Sequence, residues 1–269
     1  MSYTGYVHLM TDFLKFRAKQ KEQKLWILEI GVDRGQTALP LLSNLLQENL
    51  DWAMIGLDCR LDKMFHQQLT MMRGLRMYGV QPLVDDEEDM HKHWNYLYEC
   101  GNSLDYLPAA RKSLTFPENK FDLVLLDGDH NFETVQKELG DLVHLVSDDS
   151  MIVVDDFHGR HANRDSFYSD RPEHSGIEHK ELNRNSSRQG VNNAVYDFLE
   201  NNRDWNLFDL GKVWGGDAIV LAKNLVINSD SQKLLLAQPT GENGQRLSGI
   251  RVQKWALHRY CQQWHFTTK

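Results

Sequence analysis

Lys24-Leu-Trp-Ile-Leu-Glu-Ile-Gly-Val-Asp-Arg-Gly-Gln36 is the stretch around which the chain is organised. An apolar run, Leu25 to Leu28, stops at the acidic Glu29. It passes through Gly31 and Gly35 and enters an amphipathic segment from Thr37 to Leu46. That order reads as a buried strand, a tight glycine turn and a helix, the opening of an open α/β nucleotide-binding sheet. The glycines let backbone approach a ligand where a Cβ would obstruct it. The spacing is Gly-x-x-x-Gly with an acid ahead of it, so it is not the dinucleotide fingerprint. Such a turn can also carry two glycines for steric reasons alone, and the rest of the chain has to decide.

Upstream, residues 4–22 read as a helix with Leu9, Phe13, Leu14 and Phe16 on one stripe, able to cover the sheet or a cofactor. Downstream, Trp52-Ala-Met-Ile-Gly-Leu-Asp-Cys59 is a second apolar strand ending at Asp58. A carboxylate there can accept hydrogen bonds from both hydroxyls of a ribose, or it can cap a helix. Leu61–Tyr78 reads as a methionine-rich core helix, and Asp85–Asp89 as a solvated acidic loop. Trp94–Cys100 is a third strand, followed by the turn Gly101-Asn102-Ser103 and a short helix, Leu104–Lys112.

The second informative block is Phe121-Asp-Leu-Val-Leu-Leu-Asp-Gly-Asp-His-Asn-Phe-Glu-Thr-Val135. A buried strand, Leu123–Leu126, ends in Asp127, Asp129 and His130, and a helix is expected over Phe132–Val146. Ser150-Met-Ile-Val-Val-Asp-Asp-Phe-His158 is a fifth strand ending in paired acids. Five apolar strands, mostly separated by helices, imply a parallel sheet wound by right-handed crossovers, with ligand chemistry beyond the strands' carboxyl ends. A helix over Val191–Asn201 and strands at Trp205–Leu210 and Gly215–Lys223 complete the pattern.

Gly159–Gln189 is polar and rich in Arg, His, Asn and Ser, and reads as a long lid or insertion loop. His158, His161, His174 and His179 fall in or beside it, but their spacing fits no zinc pattern. Residues 224–269 exceed the minimal fold. Ile250–His265 suggests a terminal helix whose Trp255, Leu257, Tyr260 and Trp264 dock on the domain or on a partner subunit. The organisation expected is a covering helix over 1–23, a catalytic domain over 24–223 and an extension over 224–269.

Composition narrows the classes. A chain of 269 residues with 41% hydrophobic and 25% charged content has the make-up of a globular α/β protein. The net charge of −8 argues against a general polyanion binder. No apolar run approaches the ~20 residues of a membrane span, and the first residues lack a signal peptide's basic and apolar regions. Cys59, Cys100 and Cys261 have no metal-type spacing and read as reduced thiols of a cytoplasmic protein.

Asp127 after strand four and Asp155 and Asp156 after strand five carry the chemistry. Neighbouring parallel strands bring such residues together, and carboxylates that close repel unless a cation neutralises them. Hard oxygen ligands suit Mg²⁺, Ca²⁺ or Mn²⁺. The alternative is that Asp127 caps the next helix while Asp155 alone faces the site.

Three motifs together carry a resemblance: Glu29-x-Gly31-x-x-x-Gly35, Asp127-Gly-Asp-His-Asn-Phe-Glu133, and Ile152-Val-Val-Asp-Asp-Phe-His158. The chain resembles class I S-adenosylmethionine (SAM) methyltransferases over roughly residues 25–223. In particular it resembles the metal-dependent small-molecule O-methyltransferases of the macrocin or sugar type, the cephalosporin-hydroxylase-like group and the catechol-type enzymes. The resemblance implies a Rossmann-like α/β fold with a seven-stranded, mostly parallel sheet, helices on both faces and an antiparallel last strand. It implies SAM held by Glu29, Gly31, Gly35, Asp58, Asn102, Ser103 and Asp127, and Mg²⁺ or another divalent cation held by Asp127, Asp155 and Asp156. The catechol-type enzymes place a catalytic lysine three residues beyond the first metal acid, and here that position is His130. The implied reaction is methyl transfer to a hydroxyl of a small molecule, a sugar or other polyhydroxyl compound. His130 is the first candidate for general base and His158 the second, with helix capping as the alternative for His130. A homo-oligomer built through the terminal extensions is compatible with this.

Two other classes stay open. One is SAM-dependent transfer to nitrogen or to a nucleic-acid base, although no Asn/Asp-Pro-Pro-Tyr/Phe motif follows strand four. The other is a non-methylating member of the fold that binds SAM or a metal.

Overall fold

The computed structural model describes residues 4–21, 23–48, 50–60, 63, 65, 67, 96–112, 120–167, 170, 184, 186–209, 217–229, 252–254 and 264–268. Several expectations fall wholly or largely outside these residues: the Leu61–Tyr78 helix, the Asp85–Asp89 run, and His174 and His179 with most of the lid.

The chain runs α1 (Thr4–Gln20), β1 (Leu25–Ile30), α2 (Ala38–Gln47), β2 (Trp52–Asp58), β3 (Tyr96–Cys100), α3 (Ser103–Lys112), β4 (Phe121–Leu126), α4 (Phe132–Leu142), β5 (Val146–Val154), α5 (Gly190–Asn201), β6 (Asn206–Asp209), β7 (Ile219–Ala222), β8 (Leu225–Ser229), β9 (Val252–Lys254) and β10 (Trp264–Thr268). The main sheet has the order β3-β2-β1-β4-β5-β7-β6-β9. β7 is antiparallel to both β5 and β6, and the other pairings are parallel. The seven strands expected are therefore present, with the short β9 added at the β6 edge. The order turns back between β1 and β4, which opens a crevice at the carboxyl ends of the strands.

Alternation along the strands explains the two-sided core. On β1, Leu25 and Ile27 face the side covered by α1 and α2, while Leu28 and Ile30 face α3, α4 and α5. The covering helix α1 is tied down by charge as well as by its Leu9, Met10, Phe13 and Leu14 stripe. Arg17 Nη2 and Lys21 Nζ lie 3.1 and 2.9 Å from the two oxygens of the buried Asp122. Asp122 Oδ2 also accepts the Trp26 N–H at 2.9 Å. α1 therefore covers the sheet face.

Two expectations differ from the structure. α4 stops at Leu142 rather than Val146, because Leu145 and Val146 turn inward and Val146 opens β5 opposite Phe121. The segment Ile250–His265, read as a terminal helix, has strands at both ends instead. β9 adds to the open edge of β6, with Leu207 opposite Val252, and β10 pairs antiparallel with β8. At these described residues, unpaired strand edges offer backbone partners that a spacing argument cannot see. Among the described residues no helix is long and apolar enough to cross a membrane.

Candidate functional site

Backbone hydrogen bonds continue past the strands and bind their ends together. Gly31 N–H donates to Leu57 O at 2.8 Å, Asp127 N–H to Ile30 O at 2.9 Å, and Asp155 N–H to Leu126 O at 2.9 Å. The glycine turn and the acids after β4 and β5 therefore share one edge of the sheet, as parallel pairing requires.

Gly31 has φ +86°, and a Cβ built on it would stand 2.1 Å from the Asp127 carbonyl oxygen. At Gly35, φ +71°, a Cβ would meet the Phe65 ring at 2.1 Å. The protein's own packing demands both glycines. Beneath the turn Glu29 is 1% exposed, and its Oε2 has no hydrogen-bond partner. Burial first, then the charges of Asp127 and Asp58, hold its carboxyl well above the ordinary range. Asp58 braces the turn: Oδ2 accepts the Val32 and Asp33 N–H groups at 2.9 and 2.8 Å, and Oδ1 accepts the Arg60 N–H at 3.0 Å. The Cys59 thiol is a fourth, weak neighbour of this carboxylate, and the Asp58 charge and that contact help burial push the thiol up to about 11.

Beyond β4 and β5 lies a chain of contacts. His130 Nε2 is 3.4 Å from Asp127 Oδ1, and Nδ1 is 3.2 Å from Asp156 Oδ2. Both ring nitrogens are buried without a well-directed hydrogen bond. His161 Nε2 lies 3.8 Å from the same Asp156 Oδ2, and the two imidazoles are 5.1 Å apart. Burial opposes the charged form of His130, but the contact with Asp127 and the charges of Asp127, Asp156 and Asp155 outweigh it and raise its pKa. Asp155, 7% exposed, is pushed up to about 8 by burial and then by Asp127 and Asp156. Asp156 has the left-handed φ of +54°, and a Cβ on Gly159 would fall 2.2 Å from its Oδ1, so a larger residue there would push this carboxylate aside.

The helix-capping alternatives are answered by other residues. Asp165, from the root of the lid, accepts the Phe132 and Gly190 N–H groups at 2.8 and 2.7 Å, so it caps α4. Asp129 accepts from Thr134 Oγ1 and Asn131 Nδ2 at 2.6 and 2.7 Å. Asp127 is thereby left to the site. His158 stands apart from His130, with Nε2 2.8 Å from Asp209 Oδ1 at the end of β6. Asn102 Oδ1 accepts the Leu104 N–H at 2.9 Å and caps α3. The Ser103 hydroxyl lies beside Glu138, a fully buried α4 carboxyl that burial pushes up to about 8.

The predicted residues thus fall in three places: Glu29, Gly31, Gly35 and Asp58 at the turn, Asn102 and Ser103 at α3, and Asp127, His130, Asp155 and Asp156 together. Sequence reasoning did not single out Asp209, Asp217 or Glu138, and it set His161 aside for its spacing. Asp217 Oδ2 adjoins the same Gly159 position as Asp156. The only signal for His161 was its place five residues beyond Asp156.

A family model described as a methyltransferase domain matches residues 28–157. Among curated proteins none is significantly similar in sequence. Among solved structures, a Staphylococcus aureus protein described as a caffeoyl-CoA O-methyltransferase is 19% identical, covering 80% of this chain and 83% of that one, with a TM-score of 0.41. The MycE methyltransferase of mycinamycin biosynthesis, in complex with Mg and SAH, is 16% identical over 83% of this chain and 51% of its own, with a TM-score of 0.43. A TDP-rhamnose 3'-O-methyltransferase of calicheamicin biosynthesis is 16% identical over 57% and 65%, with a TM-score of 0.40. Likeness at this distance assigns neither acceptor nor metal.

Proposed function

We propose that this chain, whose residues 28–157 match a methyltransferase-domain model, is a SAM-dependent methyltransferase that transfers the methyl group to a hydroxyl oxygen of a small acceptor with the help of a divalent cation. The observation that carries this reading is the gathering of Asp127, His130, Asp155 and Asp156 one backbone hydrogen bond from the glycine turn.

The residues at the turn fit the donor. Glu29 offers a buried oxygen without a partner, suited to a cationic ammonium or sulfonium ligand, and Asp58 lies at the end of β2 beside the glycine turn, where a ribose hydroxyl would take the place of the weak Cys59 thiol contact. Glu29, Gly31, Gly35, Asp58 and Asp127 would hold SAM, with Asn102 and Ser103 beside its base. SAM supplies an electrophilic methyl group when bound. The reaction-side acids fit a cation: burial, and then the charges of Asp127 and Asp156, push Asp155 up to about 8, and a cation held there would offset those charges. Asp127, Asp155 and Asp156 would hold Mg²⁺ or another divalent ion, which acidifies and orients a bound hydroxyl.

Of the two histidines, His158 is placed to take the proton. His130 is the more deeply buried of the two, with both nitrogens close to carboxylates, whereas the His158 side chain is more open to an incoming hydroxyl. Asp209 holds the Nε2–H of His158, which makes Nδ1 the basic nitrogen. The net charge of −8 favours a small acceptor over a nucleic acid. The polar composition of residues 159–189 suits a sugar or other polyhydroxyl compound.

The test is methyl transfer from labelled SAM to a panel of hydroxylated acceptors, with and without chelator. Oxygen methylation that chelation abolishes and a divalent ion restores is the expected result. SAM binding with no transfer to any hydroxyl overturns the reading, and chelator-insensitive turnover removes the metal from it. In Asp209→Asn, kcat falls and its pH profile shifts while the Kd for SAM stays unchanged. An unaltered pH profile returns the base role to another group.

A further inference from the structure

We infer that the reaction-side site of this chain takes a divalent first-row transition metal, such as Fe²⁺, Co²⁺ or Zn²⁺, in preference to Mg²⁺, through His130, Asp156 and His161. The inference rests on the reading that this cluster binds a cation, and it changes the kind of cation and the residues that hold it.

Among the described residues, one group of three side chains offers ligand atoms all within 4.8 Å of one another, and it is His130, Asp156 and His161. A metal about 2.1 Å from each donor sets neighbouring donors about 3 to 3.5 Å apart. The measured separations from Asp156 Oδ2 are 3.2 Å to His130 Nδ1 and 3.8 Å to His161 Nε2. The third separation, between the two imidazoles, is within 4.8 Å, so a shift of up to about an ångström closes the set. Two imidazoles and one carboxylate on one side of an ion leave its other positions open. Mg²⁺ takes hard oxygen donors and keeps its waters, whereas imidazole is a favoured donor for Fe, Co, Ni, Cu and Zn.

The surroundings are those of a ligand set. His130 binds through Nδ1 while its Nε2–H faces Asp127 Oδ1 at 3.4 Å, the carboxylate–histidine–metal relay that orients a ligating ring. Asp156 is held in the left-handed region at φ +54°, and Gly159 allows the turn to close over it. That turn delivers His161, whose carbonyl is fixed by the Val191 N–H at the start of α5. His161 itself is 5% exposed, so it is not a surface histidine that meets an acid by chance. Asp127 and Asp155 then act next to the ligands rather than among them.

The experiment uses the full chain, stripped of metal and titrated calorimetrically with Zn²⁺, Co²⁺ and Mg²⁺, with the visible d–d absorption of Co²⁺ as a second readout. A SAM titration on His161→Gln and thermal unfolding of Asp127→Asn serve as the folding controls. Zn²⁺ and Co²⁺ are expected to bind at least about 100-fold more tightly than Mg²⁺, following the donor set. His161→Gln removes that preference and changes the Co²⁺ spectrum while SAM affinity persists. Asp127→Asn weakens Zn²⁺ by about 10–100-fold. Mg²⁺ binding as tight as Zn²⁺, or a His161→Gln variant with unchanged Zn²⁺ affinity and Co²⁺ spectrum, overturns the inference and leaves an oxygen-only metal site standing. If no divalent ion binds, both the inference and the metal-assisted reading fail, whatever the SAM titration shows.

Discussion

Replacing Gly31 by alanine tests whether the glycine turn and the reaction-side acids form one unit. The added Cβ would lie 2.1 Å from the Asp127 carbonyl oxygen, 2.4 Å from its carbon and 2.5 Å from Gly128 Cα. All three are backbone atoms, so relief requires the turn or the end of β4 to move by roughly an ångström. The φ of +86° adds about 1–2 kcal/mol for an L-residue. Loss of the Asp127 N–H to Ile30 O bond adds about 0.5–1.5 kcal/mol. Together these come to about 2.5 kcal/mol, or roughly 5–10 °C in Tm for a domain of this size. The Kd for SAM should rise at least about tenfold, the effect of 1.4 kcal/mol. Thermal unfolding and SAM calorimetry read the two effects. Gly140→Ala is the control. Gly140 lies exposed within α4, a Cβ there meets nothing within 4 Å, and the change should stabilise by about 0.5–1 kcal/mol. A Gly31→Ala variant with wild-type Tm and SAM affinity would refute the reasoning.

Two further expectations concern charge. Asp122→Ala strips Arg17, Lys21 and the Trp26 N–H of their common acceptor, and should cost about 3–5 kcal/mol in urea unfolding. A loss below about 1 kcal/mol would mean that α1 is held by its apolar stripe alone. Glu138 has a folded-state pKa pushed up to about 8, so the folded protein keeps a proton that the unfolded chain loses above the ordinary carboxylate range. Its contribution to stability therefore declines as pH rises toward 8. Glu138→Gln should equal the wild type near pH 5 and exceed it by a few kcal/mol near pH 8, as measured by denaturant midpoints across pH.

Much of the site was legible in the chain because its parts follow strands whose burial leaves a local imprint. An apolar run that ends in Glu29 and two glycines, or in Asp127, or in Asp155 and Asp156, announces both the strand and the edge where ligands sit. Parallel pairing then forces those ends together, and the structure bears this out through the bonds from Asp127 to Ile30 and from Asp155 to Leu126. The seven-stranded sheet followed for the same reason. At Val252–Lys254 and Trp264–Thr268 the terminal segment is strand where a helix was expected, because β9 and β10 owe their form to the edges of β6 and β8, which their own residues do not encode.

Roles that depend on direction could not be read from order. Nothing local says that Asp165 rather than Asp127 caps α4, that Asp209 holds one nitrogen of His158, or that both nitrogens of His130 face carboxylates. His161 fits no ligand spacing because its partners come from another turn, and the fold back through Gly159 brings it to Asp156. The amino-acid sequence by itself determined the strands, the glycine turn and the edge where the chemistry gathers, since each depends on residues adjacent in the chain. Tertiary structure alone decided which side chains meet there, because side-chain direction and long-range closure are set by packing across the whole sheet.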